Sequence, residues 1–237
     1  MSTQILVVVV IFLAVFTQSL SGFGVALVAM SLLPVLINIK VATPLVAVVG
    51  LTIEIFLLLR YRSALNFQVV WRLIAASLLG IPLGVWALGR VDDDVVLTVL
   101  GVLITGYAIY ALLNLRMPRL LHPLWIYLFG FAGGVLGGAY TTSGPPVIVY
   151  GDCQRWERAE FKSNLQGFFF VSSIFIVLAH AFGQNITPIV WRYYLLCIPA
   201  MILGMIAGIS LDKFIDPVLY RKIVLGLLVV LGLRLII

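Results

Sequence analysis

Apolar residues gather into eight runs along the chain, at 5–37, 41–59, 73–89, 95–115, 123–151, 161–182, 193–211 and 223–237, with short polar loops between them. Membrane strands would be about half as long and would alternate apolar with polar positions, so these runs predict helices. Two of the runs exceed what one crossing needs. Runs 5–37 and 123–151 have 33 and 29 residues, or roughly 50 and 43 Å as straight helices at about 1.5 Å per residue. The hydrocarbon core is roughly 30 Å thick. Each long run also carries a polar interruption, Ser21-Gly22-Phe23-Gly24 in the first and Ser143-Gly144-Pro145-Pro146 in the second.

The interruptions belong to a duplicated pattern. Ser21-Gly22 recurs as Ser143-Gly144 at an offset of 122, Trp71-Arg72 as Trp191-Arg192 at 120, and Gly80-x-x-x-Gly84 as Gly204-x-x-x-Gly208 at 124. Three matches in one order predict two repeats, 1–115 and 123–237, joined by a linker at 116–122 and working as one transport domain. Duplicated hydrophobic units with breaks in equivalent places point to a secondary transporter whose site lies where the breaks meet. The Gly-x-x-x-Gly pairs are expected to let helices pack closely.

Composition narrows the class. With 63% hydrophobic and 10% charged residues and a mean hydropathy of +1.19, the chain has too little polar surface for a water-soluble domain. The expected fold is an all-α integral membrane protein of two homologous halves, each of about four hydrophobic segments. Residues 1–4 lack a basic stretch and no small-residue cleavage site follows, so a cleaved signal peptide is not expected. Cys153 and Cys197 are isolated, without metal spacing, and the net charge of +6 reflects loop Lys and Arg rather than a nucleic-acid surface. No cofactor or metal motif is present; a G-x-x-x-x-G-K-[ST] loop is missing, so ATP would need another subunit.

Charge also bears on topology. If all eight runs crossed, the fifteen basic residues would divide seven against eight. If the two long runs instead enter, turn at their breaks and leave on the same side, each half crosses three times and the halves are inverted. The division becomes eleven against four, with Lys40, Arg90, Arg192 and Arg234 on the poorer side. That bias is what the positive-inside rule expects. The re-entrant, inverted arrangement is therefore preferred over two long tilted helices.

Non-helical backbone at membrane depth must face protein or a water-filled cavity. A new helix is expected after each glycine, and Pro145 and Pro146 suit a first turn. Helix starts present unpaired N–H groups and the positive end of the dipole, which favour an anion. The candidate substrate-binding residues are Ser21, Gly22, Phe23 and Gly24 at the first break and Thr141, Thr142, Ser143, Gly144 and Pro145 at the second. Thr43 in the first half aligns with Ser163 in the second, and Asn164 and Gln166 follow; these offer further hydroxyls and amides, with ordinary helix capping as the competing account. Glu54 is the only acid deep inside an apolar run. A charge there costs on the order of 2.5–3.5 kcal/mol, so it should be protonated, wet or paired. Structural pairing is the simpler expectation, and ion coupling the alternative. Arg60 and His180 align near helix ends, where snorkelling to the interface is expected.

These features together resemble the sulfite exporter TauE/SafE family of bacterial and archaeal membrane transporters. The likeness is carried by the duplicated unit, by the glycine-containing breaks (Ser21-Gly22-Phe23-Gly24; Gly137-Gly138 through Ser143-Gly144-Pro145-Pro146) and by the Lys40-to-Thr43 segment, and it covers roughly residues 5–237. It implies transport, mostly export, of small sulfur-containing anions such as sulfite or organosulfonates across a prokaryotic plasma membrane. Members commonly carry a longer glycine run after the first break, so Phe23 is expected to narrow or reshape the pocket here. Expected partners are a small anionic substrate and the lipid bilayer, with a homodimer as one candidate assembly and no nucleic acid. An anion channel shares the same helix-end chemistry and remains the alternative. An intramembrane enzyme built on Ser143 and His180 is disfavoured, because Thr141-Thr142 precedes the serine and serine stands at both breaks.

Overall fold

The computed structural model describes residues 3–61, 65–113, 118–211, 214 and 217–236. Arg62, Arg116 and Lys213 of the charge count, and the first two linker residues, lie outside them. The described chain is helical, in the order α1 (Thr3–Ser21), α2 (Val25–Leu32), α3 (Ile39–Tyr61), α4 (Phe67–Arg90), α5 (Asp93–Leu113), α6 (Leu124–Tyr140), α7 (Gly144–Gln154), α8 (Arg158–Phe182), α9 (Pro188–Leu211) and α10 (Pro217–Ile236). No strand occurs among the described residues. Six helices, α1, α3, α4, α5, α8 and α9, are long and apolar enough to cross a membrane. The chain is a multi-pass membrane protein.

Both long apolar runs are broken where their Ser-Gly motifs lie, and each divides unequally. The first gives 19 residues in α1 and 8 in α2; the second gives 17 in α6 and 11 in α7. At about 1.5 Å per residue the longer pieces reach roughly 26–28 Å, close to the hydrocarbon thickness, and the shorter ones roughly 12–17 Å. The backbone causes differ. Gly22 (φ 87°) and Gly24 (φ 117°) hold left-handed conformations that side chains resist. The second break turns instead at Thr141, with φ 55°. The Thr141 N–H bonds the Gly137 carbonyl at 2.7 Å and the Thr142 N–H bonds Leu136 at 3.2 Å, closing the end of α6. A β-branched residue in this region is an outlier costing on the order of 1–3 kcal/mol, and such strain gathers at functional sites.

The helices form two compact units, each drawing on both halves of the sequence. One contains Met1–Val46, Arg90–Leu115 and Thr187–Ile237; the other contains Ala47–Gly89 and Arg116–Ile186. In the first, α9 lies on α1 through Gly204 and Gly208, where an added Cβ would come within 2.8 Å of the Phe12 carbonyl oxygen and 2.7 Å of that of Phe16. In the second, Gly80 and Gly84 of α4 lie on the α6 carbonyls of Phe131 and Val135, and Gly134 and Gly138 of α6 lie on Ser77 and Ile81. Both Gly-x-x-x-Gly pairs therefore bring two backbones together where any side chain would separate them. The pairing repeats as well: a fourth-element helix of one half packs on the first-element helix of the other, in each unit.

Candidate functional site

Thr141, Thr142 and Ser143 at the second break, and Ser163, Asn164 and Gln166 on α8, are all buried polar residues. α8 covers the break. The Phe169 ring lies 3.5 Å from the place of a Gly144 Cβ, and Ile176 packs at Gly137 beside Ser143. α7 starts at Gly144 with prolines in its first turn, and Ser143, at the N-cap, makes no capping bond to its own helix. Pro145 and Pro146 remove two of the N–H groups a helix start normally offers. Side-chain donors therefore matter more here than the sequence pattern implies. The Thr142 hydroxyl is committed to the Tyr140 carbonyl at 2.9 Å.

Asn164 is the most informative of these residues. It is fully buried, and its Oδ1 accepts the Asn66 N–H at 2.8 Å, where α4 begins. A backbone N–H faces oxygen, so the amide has one orientation and Nδ2 points the other way. Among the described residues, Nδ2 finds no acceptor. Ser163, Asn164 and Thr43 do not cap the helices that carry them, although Asn164 meets an N–H at the start of α4. Ser163 and Asn164 sit beyond the first turn of α8, which begins at Arg158, and Thr43 sits beyond the first turn of α3. Asn38 caps α3 instead, accepting the Lys40 N–H at 2.8 Å, while its side-chain amide and Lys40 both meet Asp93.

The first break is organised differently. The Ser21 hydroxyl is held at 2.6 Å from the carbonyl oxygens of both Thr17 and Phe23. Its single proton is thus committed to the protein's own backbone. Gln18, which the residue pattern did not single out, accepts the Val25 N–H through Oε1 at 2.8 Å. Ser21, Phe23 and Gly24 line a cavity of about 20 Å³ together with Thr17 and Tyr220, whose hydroxyls lie 2.8 Å apart. Such a volume holds about one water. Gly22 and Thr43 are not among its lining residues.

The glycines at the two breaks also differ. Gly22 needs its positive φ, but Gly144 does not have one. A left-handed residue occurs at both breaks, but it is a glycine at the first and Thr141 at the second.

Glu54 is 5% exposed. The Ser173 hydroxyl hydrogen-bonds its carboxyl, and Oε2 has no partner among the described residues. Two residues so close to the centre of α8 were not visible as a group: Ser172 lies 3.4 Å from Ser77 of α4, beside Ser173. His180 is completely buried, with Nδ1 3.1 Å from the Asn185 amide. It does not snorkel, because residues 183–185 fold back over the end of α8.

The family described as sulfite exporter TauE/SafE matches residues 7–235. A "probable sulfite/organosulfonate exporter TauE" from Cupriavidus necator is 24% identical over 229 residues, covering 91% of this chain and 86% of that protein. No solved structure matches. With nearly its whole length matched, the chain belongs to the sulfite exporter TauE/SafE family of membrane transport proteins.

Proposed function

We propose that this chain is a secondary transporter that exports a small sulfur-containing anion, such as sulfite or an organosulfonate, across the plasma membrane of a prokaryotic cell. The observation that carries the reading is the buried amide of Asn164. A carboxamide nitrogen has protons to give and no lone pair to offer, so the group that satisfies it must be an acceptor. Leaving such a donor unmet in the interior costs about 1–3 kcal/mol. An oxyanion beside Thr141, Ser143, Gly144 and Asn164 would relieve that cost, and a cation would not. Thr142, Pro145, Ser163 and Gln166 complete the walls. The exporter from Cupriavidus necator supplies the sulfur-anion class. The repeats 1–115 and 123–237 act as one transport unit with inverted halves, as the charge distribution favours.

Glu54 is the proposed coupling group. The Ser173 hydroxyl bonds its buried carboxyl, which takes up and releases a proton, with structural pairing as the alternative. The test is calorimetric titration of the purified protein with sulfite, methanesulfonate, thiosulfate and acetate, with choline as the cation control. Saturable binding of the sulfur oxyanions, and not of choline, is expected. Binding of acetate alone would remove the sulfur assignment, and binding of none would remove the site.

A further inference from the structure

The first break carries a donor of the same kind, and the inference drawn from it rests on the transport reading above. α2 opens at Val25, and the Val25 N–H is met by Gln18 Oε1 at 2.8 Å. Only the oxygen of the carboxamide can answer that N–H, which fixes the orientation of the group and sends Nε2 to the other side. Gln18 is 2% exposed, and among the described residues Nε2 has no acceptor. We infer that Gln18 is an anion-binding residue, donating Nε2 to an oxygen of an oxyanion at the start of α2.

Three features set the chemical class. Nε2 has only protons to share, so its partner is an acceptor. The start of α2 adds the positive end of a helix dipole and first-turn N–H groups without intrahelical partners, which favours a deprotonated oxyanion over a neutral acceptor. Ser21, the more obvious donor, has committed its proton to Thr17 and Phe23, so Gln18, like the buried Ser19 hydroxyl beside it, has a hydrogen bond left to give. The arrangement reproduces Asn164, whose oxygen is held by the Asn66 N–H and whose nitrogen is unmet. In both, a backbone N–H fixes a buried amide so that its nitrogen is presented without a search through rotamers.

The substitution Gln18→Glu separates capping from donation. It keeps an oxygen for the Val25 N–H and puts negative charge where the helix dipole welcomes it, but it removes the donor. The purified full chain in detergent is compared with Q18E at pH 8, reading the ligand-free thermal midpoint and the sulfite Kd. The inference expects a folded variant whose Kd is at least about tenfold weaker, the loss expected for a hydrogen bond to a charged acceptor. A Kd within twofold of the parent overturns it and leaves the transport reading standing. If Q18E does not insert, Gln18→Met decides: weakened binding by folded protein supports the inference, and unaltered binding overturns it. Failure of the parent chain to bind sulfite, methanesulfonate or thiosulfate overturns the transport reading and this inference together.

Discussion

Gly22 and Gly144 occupy matched places in the two repeats, yet alanine should act on them in opposite directions. At Gly22, φ is 87°, a conformation that costs a non-glycine residue on the order of 1–3 kcal/mol. For a chain of this length that amounts to a loss of roughly 2–12 °C in the thermal midpoint, at about 2–4 °C per kcal/mol. Gly144 has no positive φ; it opens α7, and an added Cβ would stand 3.5 Å from the Phe169 ring, an ordinary contact. Alanine there should leave the midpoint unchanged or raise it slightly, since glycine within helical structure costs about 0.5–1 kcal/mol relative to alanine. Thermal unfolding of both variants in detergent, followed by circular dichroism, makes the comparison. Equal destabilisation by G22A and G144A would refute the view that the two breaks turn for different backbone reasons.

Other substitutions address the site and its support. Asn164→Asp retains an acceptor for the Asn66 N–H but loses the Nδ2 donor, so sulfite affinity measured by calorimetry should fall at least about tenfold. Ser143→Ala should weaken binding by about three- to tenfold in the same assay, one neutral hydroxyl being worth roughly 0.5–1.5 kcal/mol. Glu54→Gln, which keeps shape and removes the titrating proton, should abolish the dependence of transport on a pH gradient while leaving anion binding intact; a variant that still follows the gradient assigns Glu54 to structure. Gly134→Ala drives a methyl into the Ser77 backbone and should lower the midpoint through overpacking worth about 1–3 kcal/mol. Gly106→Ala meets nothing within 4 Å and serves as the tolerated control.

The parts of the fold legible in one dimension were those written as local pattern. Two apolar runs too long for a single crossing, each with a Ser-Gly interruption, located both breaks, and the spaced glycines located the close helix contacts. What a linear reading missed depends on the chain folding back on itself. Gln18 reads as one of several polar residues before the break until Val25, seven positions later, returns to its amide. Tyr220 reaches Thr17 across 203 residues, a distance that periodicity cannot span. The direction of a hydroxyl is not legible in sequence either: Ser21 reads as a free donor until the adjacent backbone carbonyls of Thr17 and Phe23 take its proton. His180 was placed at the interface from its position near a helix end, and the turn after α8 buries it.

Counterflow in proteoliposomes tests the central claim most directly, because it requires binding, translocation and return of an unloaded or reloaded carrier. Vesicles containing the purified chain and preloaded with unlabelled sulfite are diluted into sulfite labelled with sulfur-35. A carrier for sulfur oxyanions predicts a transient accumulation of label above its equilibrium level, absent from protein-free vesicles and lost in Asn164→Asp. Simple equilibration of label at a rate indifferent to preloading would indicate an open pore, and no protein-dependent entry of sulfite, methanesulfonate or thiosulfate would contradict the account.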